Sequence, residues 1–392
     1  MKRTGLIALI TLLNMTAPFS TDVYLPSLPT LSEHFGTTAG MVNLTLAGFF
    51  FFFAAGMLLF GPLSDKYGRK PVLLAGLLVY LACSAFCAMS ATIWQLIAFR
   101  ILQALGAGCM VSVSMALVKD CFQGRTRGTI LAIIQTMSVL APMLAPVIGA
   151  WILQFTSWRG TFWALCVISS ICLIVALFLQ ETLKPESRYR GNVFGSLGRL
   201  IVVAKNRAFT AFLFITALVS VMFMAHLAMS SYIYIEHFGL TETGFSLFFA
   251  FQSFLLMFGP IVYIRLNGRV PVRSVVTVSF VICVASGCAV VFIGHISPYV
   301  FLLSFFPIAF ISSMFRPLAA NTLLSQQDND TGSASSLINF GKTGMGSVGM
   351  LLGGLPWVNF VTGLGIIAVS VSSLALCLWL LFVKSGLKLR EE

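Results

Sequence analysis

The sequence predicts an all-α membrane protein of twelve transmembrane helices, divided six and six. Three observations carry this. Of the 392 residues, 58% are hydrophobic and 9% charged, against about 25% charged in a soluble domain, so no water-soluble core could hide the apolar surface. The apolar residues gather into twelve runs of about 20, the length that crosses a bilayer. One long polar stretch, with Lys184, Arg188, Arg190, Arg199, Lys205 and Arg207, separates six runs from six.

In chain order the predicted spans are 5–26, 41–61, 72–90, 93–118, 128–153, 161–180, 208–234, 243–264, 273–293, 298–324, 333–356 and 361–383. The organisation that follows is a first helical half over 1–183, a cytoplasmic linker over 184–207 and a second half over 208–392. Met1-Lys2-Arg3 before an apolar run has the look of a signal peptide. However, the run ends at the polar Asp22 without a small-residue cleavage site, so it is expected to stay as the first helix. With the N-terminus inside, the cytoplasmic segments hold twenty Lys and Arg and the outer ones only Arg159; Arg100, Arg316 and Lys342 fall within spans. That bias places both termini in the cytoplasm. It also explains the net charge of +12 without a nucleic-acid partner. The nine cysteines are scattered and read as small packing residues, not a disulfide or metal framework.

Spans two and three are joined by Gly61-Pro62-Leu63-Ser64-Asp65-Lys66-Tyr67-Gly68-Arg69-Lys70-Pro71-Val72, a short polar hinge. Its glycines permit a tight turn, and Pro71 suits the first turn of the next helix. This G-x-L-x-D-x-x-G-R-K-P pattern resembles the signature loop of the major facilitator superfamily. The two halves also echo one another. Gly68-Arg69-Lys70-Pro71-Val72 returns as Gly268-Arg269-Val270-Pro271-Val272, and Gly128 with Gln135 returns as Gly332 with Asn339. The resemblance implies two six-helix bundles with the substrate site near mid-membrane between them.

Four further stretches sharpen it: Asp22-Val23-Tyr24-Leu25-Pro26 through Pro29, Arg100 through Gln103 to Gly108, Ala141-Pro142 through Pro146 to Gly149, and Trp158-Arg159 with Glu181-Thr182. With Thr331–Ser335, they resemble the bicyclomycin-resistance (Bcr/CflA) family of drug:proton antiporters. Ala141 stands where the commoner helix-five motif has glycine. The family implies a monomeric carrier in the bacterial plasma (inner) membrane. Its partners are the lipid bilayer, protons and a small drug-like amphiphile, and it uses no cofactor. A carrier of one defined metabolite, exporter or importer, on the same scaffold is the alternative.

Asp22 is the carboxylate placed within a span, four residues from the predicted end of span one. Buried carboxylates are costly and mark functional sites, and burial against a nearby cation sets proton affinity. Arg100, about 10 Å into span four, is its candidate partner in proton coupling. An outer-mouth acid and a structural arginine are the competing readings. Substrate-cavity candidates are Asn14, Gln103, Gln135, His226, Tyr232, Gln252, Asn339 and Lys342. For the amides, helix–helix bonding is an equal alternative. With Lys342 and Arg316 in spans of the second half, neutral or anionic amphiphiles are favoured over dications. Gly61, Asp65, Gly68 and Arg69 on the cytoplasmic side, with Pro142, Pro146 and Gly149 at a bent helix contact, are the candidates for conformational gating. The Phe49–Phe53 run is expected mostly to face lipid. The sequence holds no Walker loop, H-E-x-x-H motif, nucleophile elbow or metal-spaced Cys/His cluster, which argues against an enzyme and leaves an ion gradient as the drive.

Overall fold

The computed structural model describes residues 3–183, 186, 188, 193–326 and 331–385. Lys184 and Arg190 of the linker lie outside them, as does Lys2 of the N-terminus. The described chain is helical. The first six spans are built from α1 (Arg3–Asp22) with α2 (Leu28–His34), α3 (Ala39–Tyr67), α4 (Arg69–Met89), α5 (Ile93–Cys121), α6 (Gly124–Phe155) and α7 (Trp158–Leu177). A linker helix, α8 (Val193–Ala204), follows. The second set is α9 (Arg207–Ser231), α10 (Glu242–Leu256) with α11 (Phe258–Leu266), α12 (Val272–Ile293), α13 (Pro298–Leu324), α14 (Thr331–Gly353) and α15 (Phe360–Lys384). Among the described residues eleven helical stretches are long and apolar enough to cross a membrane. The glycine- and serine-rich α14, eleventh in chain order, is not among them.

Side-chain caps explain where several helices begin. Thr92, Asn206, Thr241 and Ser297 each accept a hydrogen bond from the backbone N–H three residues on. Each satisfies one of the amides that a helix start leaves without a partner.

The boundaries correct the sequence reading at four places. First, α3 continues six residues past 61, through Pro62, so the hinge shrinks to Gly68 alone. Gly68 adopts φ +103°, a left-handed conformation open to glycine. Second, span one does not stop at 26: a 3-10 turn, Leu25–Ser27, leads into α2, and the apolar stretch runs from Thr4 to His34. Asp22 therefore lies twelve residues before the end of that stretch, at the junction of α1 with the turn. Third, span eight breaks at Met257 into α10 and α11. Fourth, the linker contains α8, an apolar stretch that the surrounding cations obscure in the sequence.

Two compact units emerge: Met1–Thr37 with Gly48–Ser196, and Thr38–Ala47 with Leu197–Glu392. Both use one packing scheme. In the first, α1 packs on α5 and α6, and α4 on α5 and α7; in the second, α9 packs on α13 and α14, and α12 on α13 and α15. Glycines allow the closest approaches. A Cβ on Gly149 of α6 would collide with the Val23 carbonyl, and one on Gly349 of α14 with the Val221 carbonyl. Gly106 lies against α4, and Gly108 lies on α3, where an added Cβ would come within 2.6 Å of the Phe53 carbonyl.

Candidate functional site

Each unit holds a distinct cluster of buried polar side chains. The first centres on Arg100, seven residues into α5 and fully buried. Its Nη1 donates to the Ser20 carbonyl of α1 at 2.9 Å and to Gln103 Oε1 at 2.7 Å. Gln103 Nε2 donates to Ser84 Oγ of α4 at 2.7 Å. The Ser20 and Tyr80 hydroxyls, 2.5 Å apart, close the loop between α1 and α4. The guanidinium also lies 4.2 Å from the ring centre of Phe49 and 5.2 Å from that of Tyr24. Aromatic faces offset part of the cost of burying a cation. Its Nε and Nη2 have no hydrogen-bond partner among the described residues.

Asp22, 5% exposed, ends α1 two residues beyond Ser20. The Thr21 hydroxyl donates to its Oδ1 at 2.9 Å. Gly149 presses on the backbone of the next residue, Val23. The face of α6 that carries half-buried Pro142 and buried Pro146 and Gly149 thus meets α1 beside the acid. Asn14 and Gln103 each bond a neighbouring helix. Asn14 Nδ2 donates to the Ile10 carbonyl and to Ser114 Oγ, each at 2.8 Å, tying α1 to α5.

At the other end of the unit, Arg69 is buried and paired with Asp65 at 2.6 Å and Asp120 at 2.9 Å. It also donates to Ser64 Oγ. Gly61 meets Ser112 of α5. The start of α4 has no cap of its own; Glu181 supplies one, accepting from the Arg69 and Lys70 amides at 3.0 and 3.2 Å. Lys70 Nζ returns a bond to the Leu177 carbonyl at the end of α7, so two helix termini cap one another. Burial opposes ionisation of Glu181. The backbone amides of Leu183, Arg69, Lys70 and Thr182 outweigh it and hold the carboxyl below its ordinary value.

In the second unit His226 of α9 is buried, with Nε2 3.1 Å from Gln252 Oε1 of α10. Its ring stacks on Phe305 at 4.2 Å. Tyr232 is buried and stacks on Phe360 at 5.1 Å. Tyr232–His237 forms a π-helical turn at the end of α9, a local widening that recurs at functional sites. Gln135 and Asn339 are exposed on α6 and α14. Lys342 is half-buried, its Nζ donating to the Arg316 carbonyl at 3.3 Å.

Sequence reasoning overlooked Asp120, Ser20, Ser84 and Tyr80, whose roles depend on partners far along the chain. The Phe49–Phe53 run was expected mostly to face lipid, and Phe50 and Phe52 are half-buried. Phe49 and Phe53 are buried and Phe51 is exposed; helical periodicity within the run was the available signal.

The buried polar groups tie the helices of a multi-pass membrane protein together. The chain belongs to the Major Facilitator Superfamily, whose family model matches residues 10–350. An uncharacterized MFS-type transporter, YdgK of Bacillus subtilis, is 27% identical over 88% of both chains. A chloramphenicol resistance protein of Pseudomonas aeruginosa is 29% identical over 67% of this chain and 61% of its own length. The multidrug resistance protein MdtL of Escherichia coli is 31% identical over 43% of this chain and 44% of its own. Two solved structures share the fold. A peptide transporter, POT, has a TM-score of 0.76 at 13% identity, covering 97% of this chain and 94% of its own. A D-xylose-proton symporter has a TM-score of 0.72 at 14% identity, covering 96% and 97%.

Proposed function

We propose that this protein exports small amphiphilic, drug-like molecules in exchange for protons, as a member of the bicyclomycin-resistance (Bcr/CflA) family. On this reading it works as a monomer in a bacterial inner membrane with both termini cytoplasmic. Helical halves 1–183 and 208–392, joined by the linker 184–207, alternate between inward and outward access. The chloramphenicol and multidrug resistance relatives support the substrate class.

The observation that carries the proton reading is a buried Asp22 two residues beyond the carbonyl that holds Arg100. Burial favours the protonated carboxyl, and a nearby guanidinium favours the carboxylate. A proton from outside adds to Asp22 and makes it neutral. When that proton leaves to the cytoplasm, the ionised carboxylate attracts the N–H groups that Arg100 has left over. Small movements of α1 against α5 then shift the balance. Gly149, Pro146 and Pro142 couple α6 to that movement at Val23, while Gly61, Asp65, Gly68 and Arg69 set the cytoplasmic gate. One proton moved down 100 mV supplies about 2.3 kcal/mol, enough to hold a useful drug gradient.

Inverted membrane vesicles test this. An acid-inside gradient is expected to drive chloramphenicol uptake, abolished by Asp22→Asn and by an uncoupler. Uptake that survives either treatment would contradict the proton reading and favour a metabolite-type carrier.

A further inference from the structure

Among the described residues the second unit has six buried side-chain polar atoms without a hydrogen-bond partner: Asn43 Nδ2 and Oδ1, Ser231 Oγ, and a set of three, His226 Nδ1, Gln252 Nε2 and Tyr234 Oη. Buried polar groups are nearly always satisfied, so a cluster of exceptions calls for an explanation. The three belong together. His226 bonds Gln252 directly, and Phe301 lies against both His226 and Tyr234, with ring centres 5.9 and 5.4 Å away. In a plain α-helix residues eight apart stand about 80° off a common line. The π-turn from Tyr232 takes up about one extra residue, which returns Tyr234 toward the stripe of His226.

Their chemistry is specific. Gln252 Oε1 only accepts, so His226 Nε2 carries the ring proton, and Nδ1 of the neutral imidazole is an acceptor. Gln252 Nε2 is a donor, and Tyr234 Oη can be either. The set therefore offers an acceptor, a donor and a hydroxyl, beside the flat faces of Phe301 and Phe305.

We propose that His226, Gln252 and Tyr234 form a recognition subsite for an uncharged amide or hydroxyl group on an aromatic substrate. The ligand donates to His226 Nδ1, accepts from Gln252 Nε2, and stacks its ring beside Phe301 and Phe305. This rests on the reading of the chain as an exporter of drug-like molecules and adds what the second unit selects.

Equilibrium binding to the purified full chain in lipid nanodiscs tests it without any proton gradient. Chloramphenicol, neutral and bearing an amide and hydroxyls, is one probe; tetraphenylphosphonium, a cation with neither, is the other. Gln252→Met is expected to raise the ratio of the two Kd values, chloramphenicol over tetraphenylphosphonium, about tenfold, in line with stranding a buried hydrogen-bonding group. Tyr234→Phe keeps the ring packing and is expected to raise that ratio about threefold or more. An unchanged ratio in both variants, or no chloramphenicol binding by the parent chain, would overturn the subsite. Chloramphenicol binding that depends on Gln252, in a protein whose transport ignores protons, would keep the subsite and dismiss the proton reading.

Discussion

Gly68 and Gly268 occupy the same loop of the two repeats and share a positive φ, 103° and 74°, yet their neighbours differ. Arg69 is buried among Asp65, Asp120 and Ser64, whereas Arg269 is exposed. The same contrast runs through the membrane interior. The first unit buries the Arg100 guanidinium and the Asp22 carboxyl on the helices α5 and α1; the second buries a His226–Gln252 pair on its first helix, α9, and on α10. One packing scheme thus buries a guanidinium and a carboxyl in one half and a His–Gln hydrogen bond in the other, where the cation Lys342 is half-buried. On the proposed reading, energy coupling and substrate choice are divided in the same way.

If the packing scheme is truly shared, its glycine contacts should be equally intolerant. Gly149→Leu and Gly349→Leu each drive a side chain into partner backbone, costing about 1–3 kcal/mol or more. Both are expected to lower the thermal midpoint of the purified protein by several degrees. A large effect in one unit only would break the comparison. The loops should behave oppositely. Arg69→Ala strands Asp120 and is expected to cost about 2–3 kcal/mol, while Arg269→Ala stays within about 0.5 kcal/mol; paired melts compare them.

The smallest effect concerns pH. The Glu181 carboxyl is held below its ordinary value, so it contributes stability above the unfolded pKa and loses it as pH falls through the folded one. Melting curves of the parent chain and Glu181→Gln should differ at neutral pH and converge below the ordinary carboxylate range. A constant gap down to strong acid would contradict that role.

The fold was legible because its causes are local. Apolar runs and turn glycines mark spans and hinges without knowledge of partners. Boundaries failed where local signs misled. Span one was ended at 26, yet proline is at home in the first turn of a helix, and α2 begins there with Pro29 in its first turn. The polar residues before Gly68 looked like a loop but continue α3. The sites were only half legible. Asp22 and Arg100 stood out because charge is rare in a span. The Ser20, Ser84 and Tyr80 loop did not, because each bond joins residues that only folding brings together. Asn14 and Gln103 had two open readings, and the structure shows each bonded to a neighbouring helix, at Ser114 and Ser84. Glu181 capping α4 from 112 residues away leaves no mark on the α4 sequence.

Proton release on substrate binding tests the central claim most directly. Chloramphenicol added to the purified chain in weakly buffered solution is predicted to acidify the medium as Asp22 gives up its proton, and to leave pH unchanged with Asp22→Asn. Equal acidification by the variant would contradict the account.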